Sequence, residues 1–368
     1  MTDVLGPGDP VPPFRARTRG NPAYAFDSVA GRHVAVTLIG RLAVPGVAAM
    51  VRALREDDGL FDDERASHFV VTADPADLDT LPDRYPGVRT LADDGFAAAD
   101  AFGCRTGDDL RLATFLLDPG LRVVAVLPVE DADRHAADVH AAMRALLGAA
   151  PADGLAPVLV VPHLLEPALC RRFIDYCESQ GAEDSGYMKT DPATGRTVLV
   201  VDHHHKRRSD CLIEDEELRA ALRHRVMRRL VPAIQRAFQF RVSRMERYLI
   251  GRYDSATGGH FRPHKDNTTR GTAHRRFAVS INLDADAHEG GDLRFPEFGR
   301  RTYRPPTGGA VVFSCSLLHE ATPVTAGVRH CILPFLYDEA AAQVRLENAR
   351  YLDDPALRDQ VIASVTAR

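Results

Sequence analysis

The stretch 252–332 decides the fold, and it reads RYDSATGGHFRPHKD (252–266), RRFAVSINLD (275–284), EGGDLRF (289–295) and TGGAVVFSCSLLHEATPVTAGVRHC (307–331). His264 and Asp266 stand one residue apart, His319 follows 55 positions after His264, and Arg329 lies ten further on. Short apolar runs separated by glycine and proline predict strands throughout. Alternate side chains of an extended strand share a face, so His264 and Asp266 are expected to reach one cation, with His319 closing the triangle from a later strand.

Two neutral imidazoles and one carboxylate, with other coordination positions open, suit non-haem Fe(II) and oxygen chemistry. Zinc hydrolases also use two histidines and a carboxylate, so the donor set leaves the metal open. Arg329 favours iron: a guanidinium in the same pocket is a rigid two-pronged donor, as expected where an anionic cosubstrate is held beside the metal. Any one of the 15 histidines is more often a surface or hydrogen-bonded residue, and His260, His274, His288 and His330 are assigned that way.

This stretch resembles the 2-oxoglutarate and Fe(II)-dependent oxygenases, most closely the prolyl 4-hydroxylase branch, over roughly residues 157–340. The resemblance implies that His264, Asp266 and His319 bind iron, and that Arg329 and Tyr253 hold 2-oxoglutarate. Gly290, Gly291, the run TPV at 322–324 and Gly327 fall where that family has the same residues. The resemblance also implies O2 as oxidant, ascorbate as a reductant, and hydroxylation of a C–H bond, with a prolyl residue of a peptide or protein as acceptor. A carboxylate at Asp266 fits hydroxylation; related halogenases have a small residue there. A free amino acid or small metabolite is the alternative substrate. A zinc enzyme on the same barrel, and a thioredoxin-like adaptor whose barrel only binds a ligand, are the rivals.

The expected architecture is α+β and multidomain. Runs such as ERYLIGRYD, GHFRPHKD, RFAVSINLD, GDLRFPEF, AVVFSC, HEATPV and RHCILPFLYD suit a double-stranded β-helix, or jelly roll, with flanking helices and ligands on facing inner walls. Before it, EPALCRRFIDYCESQ reads as an amphipathic helix. Leu218, Leu222, Val226, Leu230 and Ile234 form one stripe of a long helix over 214–239, kinked at Pro232. The segment 181–210 reads as irregular and polar, and its DHHHKRRSD run as a solvated loop. By the family resemblance, His205, Arg207 and Arg208 are expected near the substrate. Residues 341–368 read as a peripheral helical tail.

Residues 1–147 read as a separate α/β domain: HVAVTLIG and SHFVVTADP as strands, PGVAAMVRAL as a helix, ATFLLDPGLRVVAVLP as a hairpin turning at Pro119 and Gly120, and a helix over 131–147. GDPVPPF and the hairpin resemble the peroxiredoxin and thioredoxin-like group. The segment where such enzymes carry their reactive cysteine reads IGRLAVPGVAAM, with no cysteine, so no peroxidase or disulfide exchange is expected. A linker is expected at 148–156, GAAPADGLA for 148–156 being small and rich in breakers.

At 368 residues the chain is long enough for two domains. The six cysteines show no disulfide framework. No apolar segment approaches the roughly 18 residues of a span and no leader is visible, so a cytoplasmic protein without membrane contact is expected. Residues 1–147 hold 23 acidic and 15 basic side chains, leaving 28 and 31 in the remainder. That density does not fit a nucleic-acid binder, and the sequence leaves the oligomeric state open.

Overall fold

The run HVAVTLIG folds as the strand His33–Gly40, in which Val34, Ala35, Val36 and Ile39 are fully buried. An unbroken apolar strand covered on both faces belongs at the centre of a sheet. It lies between Ala66–Thr72, which runs parallel to it, and Ala113–Leu117, which is antiparallel. Val88–Ala92 and Val123–Pro128 form the edges of this five-stranded sheet. The helices Val47–Arg55 and Ala132–Gly148 pack Met50, Val51, Leu54, Val139 and Met143 into one cluster with Ala35, Ile39 and Val70. The hairpin turns where Leu121 N–H bonds back to Asp118 O, across Pro119 and Gly120.

The computed structural model describes residues 3–56, 59–107, 109–149 and 154–366. The chain divides into one unit of Met1–Leu155 with Pro296–Gly299, and a second of Ala156–Phe295 with Arg300–Arg368. Of the expected linker, residues 150–153 lie outside the described residues. So do the last two residues of the tail.

In the first unit Cys104 is buried, and burial pushes its thiol up to about 11. A thiol in that condition is not a nucleophile at neutral pH.

The second unit is built on two antiparallel sheets. The larger runs in the order Leu159–Val161, Ala310–Ser314, Phe277–Asn282, Val324–Ile332, Leu249–Asp254, Ser209–Leu212, Glu183–Asp184. The smaller runs Lys206–Arg207, His260–His264, His319–Ala321, Leu293–Arg294, Thr302–Tyr303. Period-two alternation divides the larger sheet: Ile250, Val279, Ile281, Val312 and Ile332 join a cluster with Leu169, Phe173, Leu222 and Ile234 of the helices. The opposite parity presents Tyr253, Ser280, Asn282, Arg329 and Cys331. Tyr253 and Cys331 there meet Phe261 and Ala321 of the smaller sheet in a second cluster.

One reading of local structure is corrected. The segment 181–210 is not irregular: it contains the hairpin Tyr187–Thr190 with Thr197–Val200 and contributes strands to both sheets. Its polar composition hid strands of two to four residues, too short to show an alternation. The long helix runs unbroken from Glu216 to Phe238, with a π turn inside it. Glu216–Arg225 passes through a π turn at Val226–Leu230 into Val231–Phe238. Pro232 has no N–H and its ring crowds the preceding turn, and the wider turn absorbs the mismatch while keeping the apolar stripe buried.

The helix Glu339–Asn348 buries Ala341 and Ala342 against Tyr337, and its Arg345 reaches Glu246. Glu246 also accepts from His274 Nε2 at 3.0 Å and Arg275 Nε at 2.9 Å, and is 7% exposed. Burial alone would raise its carboxyl, but Arg275, His274 and Arg345 together hold it well below the ordinary 4.5. A depressed folded value means the unfolded chain binds the proton more readily. This contribution to stability is therefore complete above the ordinary value and is lost as pH falls through the lower folded one. Glu246→Gln strands two half-buried arginines, and a loss of about 3–5 kcal/mol is expected from denaturant unfolding at pH 7, shrinking toward pH 3. An unchanged midpoint would show the cluster to be stabilised by something else.

Candidate metal centre

His264 closes the strand His260–His264 and His319 opens the strand His319–Ala321, and the two are direct partners across the ladder. They therefore come from neighbouring strands of one sheet and not from facing walls. A register irregularity between Phe261 and His264 turns the histidine inward, as bulges beside active sites do. Asp266 is not on a strand. It sits in the turn after His264, where its N–H bonds to Cys315 O at 3.0 Å and its C=O accepts from Arg275. The expected convergence occurs, but a turn and not the pleat produces it.

The His264 Nε2 lies 3.7 Å from Asp266 Oδ1 and the His319 Nε2 3.3 Å from Oδ2. One ligand atom from each residue falls within 4.8 Å of the others. Both rings are set the same way: His264 Nδ1 is 2.8 Å from Arg262 O and His319 Nδ1 is 3.0 Å from Leu317 O. A carbonyl can only accept, so each Nδ1 carries a proton and each Nε2 is turned to Asp266, the outer-shell arrangement that orients metal-binding imidazoles. Burial, and then the neighbouring His319, push His264 well below its ordinary value, so it stays neutral and available as a ligand. Phe261 stacks on His264 with ring centres 3.5 Å apart, and Phe313 lies 4.5 Å from His319. The donor set, the convergence of the Nε2 atoms on Asp266 and the apolar walls fit a divalent transition metal.

Tyr253 and Arg329 are paired across adjacent strands of the larger sheet and share its inner face. Arg329 is 4% exposed, stands 5.2 Å over the Tyr253 ring and donates to Ser280 Oγ at 2.8 Å. A Cβ at Gly291 would come within 3.1 Å of Arg329 Cδ, and at its φ of +69° a side chain would be strained besides. His260, His274, His288 and His330 each bond elsewhere, to Gly258 O, Glu246, Gly290 O and Asp284.

These five residues, Tyr253, His264, Asp266, His319 and Arg329, fall inside a single matched segment. Residues 248–337 match the family model of the 2OG-Fe(II) oxygenase superfamily. The chain is 28% identical over 216 residues to a PKHD-type hydroxylase of Shewanella baltica, covering 56% of this chain and 84% of that protein. A prolyl hydroxylase from Trichoplax adhaerens, solved with a hypoxia inducible factor peptide fragment, is similar at a TM-score of 0.40 and 18% identity, over 50% of this chain and 85% of that one. Peroxidoxin BcpB from Mycobacterium tuberculosis is similar at a TM-score of 0.34 and 21% identity, over 39% of this chain and 98% of that one. The oxygenase family implies Fe(II), 2-oxoglutarate and O2.

Of the residues expected near the substrate of the oxygenase domain, His205 stands 6.4 Å from the His264 ring and 4.6 Å from Tyr187. Arg207 does not join them: it is exposed and donates to His203 O and Thr257 O. Arg208 is buried, grips Asp210 with two bonds of 2.6 and 2.8 Å, and lies 5.8 Å from the Tyr253 ring.

Lys206 was not among the expected residues. It pairs with Phe261 across the smaller sheet, is 3% exposed and lies 5.2 Å from the Phe261 ring. Burial, then Arg208, push its ammonium down to about 6. Alternation along K-R-R at 206–208 was the available signal, since residues 206 and 208 must share a face opposite residue 207.

Among the described residues no helix is long and apolar enough to cross a membrane.

Proposed function

We propose that the protein is an Fe(II)- and 2-oxoglutarate-dependent dioxygenase that hydroxylates a C–H bond, with ascorbate as auxiliary reductant. The observation that carries this is the pair of imidazoles, each with Nδ1 tied to a carbonyl and Nε2 turned to Asp266, together with a buried arginine next to Tyr253 on the inner face of the larger sheet. In this reading His264, Asp266 and His319 hold the metal, and Arg329 with Tyr253 holds the far carboxylate of 2-oxoglutarate. The two sheets then correspond to a double-stranded β-helix over 157–340. Residues 1–147 form a thioredoxin-like domain without redox activity, 148–156 the linker and 341–368 the helical tail. A cytoplasmic location goes with the proposal.

Iron with 2-oxoglutarate, when bound, couples oxidative decarboxylation of the keto acid to hydroxylation of substrate. The protein's own residues position and exclude. Backbone carbonyls of Arg262 and Leu317 keep the imidazole protons off the metal side. Phe261 and Phe313 keep water from the ligand face, and Arg329 selects a carboxylate by its fork. A prolyl residue in a peptide is the proposed acceptor, with free amino acids and small metabolites as the second class.

Anaerobic addition of Fe(II) and 2-oxoglutarate should give a weak visible charge-transfer band. Folded, metal-loaded protein without that band would sink the proposal, whereas zinc binding of equal strength with no keto-acid response would favour the hydrolase.

A further inference from the structure

The hairpin of Tyr187–Thr190 with Thr197–Val200 is a sheet of its own, in register with neither of the two large ones. A two-stranded hairpin alone is marginal in water, so its place is set by what touches it. In its two four-residue strands only Thr197 is buried, at 3% exposed, whereas Leu199 is 63% exposed. One end of the hairpin rests on the metal pocket. Tyr187 packs against the cluster of Tyr253, Phe261, Ala321, Val324 and Cys331, and its ring lies 4.6 Å from His205. Phe261 in turn stacks on the His264 imidazole at 3.5 Å.

The other end is gripped by the C-terminal tail. Thr197 lies alongside Leu352 in a parallel bridge, its C=O accepts from Asp353 N–H at 3.1 Å, and its Oγ1 accepts from Gly271 N–H at 3.0 Å. Leu352 is 5% exposed and shares a small core with Ala349 and Val361 of the tail. The turn Arg270–Thr272 joins the same contact. The Arg270 guanidinium stands 4.2 Å over the Tyr351 ring, and a Cβ at Gly271 would meet Leu352 Cδ2 at 2.6 Å and Thr197 Cβ at 3.1 Å. Thr190 is the partner of Thr197 across the hairpin, and Tyr187 lies three residues before it, about 10 Å along the strand. We propose that the C-terminal tail fixes this hairpin as one wall of the metal pocket, with Thr197 as the positioning residue that acts through Tyr187. The inference rests on the oxygenase reading for what the pocket holds, and it gives the otherwise peripheral tail a part in the site.

The test follows the full chain by hydrogen exchange over residues 187–200 and, after anaerobic loading with Fe(II), by the rate at which ferrozine extracts the metal. Thr197→Val removes the hydroxyl and keeps the shape, and Gly271→Ala wedges the tail from the hairpin without deleting a bond. Thr197→Val should speed both hairpin exchange and Fe(II) extraction about fivefold, the effect of losing one hydrogen bond. Gly271→Ala should act in the same direction. The Fe(II) dissociation constant should hold in both, because a wall slows entry and exit alike. Thr197→Ser restores the acceptor and should return both rates. Tyr187→Ala should speed extraction while exchange at Leu352 and Asp353 stays unchanged. Unaltered hairpin exchange in both Thr197→Val and Gly271→Ala overturns the clamp, and faster exchange with unaltered extraction overturns the wall. Exchange that rises equally in the strand Ala310–Ser314 marks general loosening and overturns the proposal as well. Unsubstituted protein that binds no Fe(II) is a separate failure, that of the oxygenase reading, and leaves hydrogen exchange to decide the clamp.

Discussion

Asp266→Ala is expected to lower Fe(II) affinity and turnover by more than about 10²-fold, because loss of even an outer-shell partner costs about 10–100-fold and Asp266 would be a direct ligand. The substitution is well suited to separate chemistry from folding. What Asp266 contributes to the turn comes from its backbone, through the bonds to Cys315 O and from Arg275, and these survive in alanine. Its carboxylate, by contrast, faces the two Nε2 atoms, at 3.7 and 3.3 Å. Stability without metal should therefore change by less than about 1 kcal/mol. Chelator competition for Fe(II), paired with unfolding of the metal-free protein, reads both numbers. His264→Ala should lose the charge-transfer band as well. A normal band in either variant would mean that the metal is held elsewhere.

The geometry explains why so much of this centre was legible in the chain and where legibility stopped. Residue identity is enough to say that two imidazoles, a carboxylate and a guanidinium belong together, since few arrangements use that set. The family resemblance associated Tyr253 with Arg329, and the two are partners across adjacent strands. Parity gave the right outcome for the wrong reason at Asp266, because the strand ends at His264 and the turn that follows happens to return the carboxylate to the same side. It also misplaced the relation of the histidines, which are ladder neighbours and not residues on opposite walls. Long-range pairing is not written in local periodicity, and a bulge shifts register without leaving a mark in hydrophobic pattern.

The same limit explains the 181–210 segment. Its strands are two to four residues long, too short for a period to be counted, and its inward residues are polar ones such as Lys206 and Arg208. A reader of hydrophobicity sees a loop. In the five-stranded sheet of the first unit the strands are five to eight residues and mostly apolar, and HVAVTLIG, SHFVVTADP and the 113–128 hairpin were readable as strands, whereas Val88–Ala92, interrupted by Arg89 and Thr90, was not.

Arg329→Ala is expected to raise KM for 2-oxoglutarate by about 10²-fold while kcat at saturating cosubstrate changes little. Truncating one partner of a buried charge pair costs about 2–5 kcal/mol, and each 1.4 kcal/mol is tenfold. Arg329→Lys discriminates between charge and shape. Lysine restores the cation but not the planar fork, and its ammonium cannot reproduce a donor to Ser280 Oγ together with a two-pronged grip on the keto acid. An intermediate loss, near tenfold, is expected. Gly291 gives independent leverage on the same side chain. Any side chain there would crowd Arg329 Cδ, so Gly291→Ala should resemble a weak Arg329 variant in KM without touching the metal ligands. The measurement is 2-oxoglutarate decarboxylation against cosubstrate concentration for all three variants. Equal losses in the Lys and Ala forms would show that the fork is irrelevant. An unchanged KM in Arg329→Ala would move the far carboxylate away from the larger sheet, toward the other buried cations around Asp210.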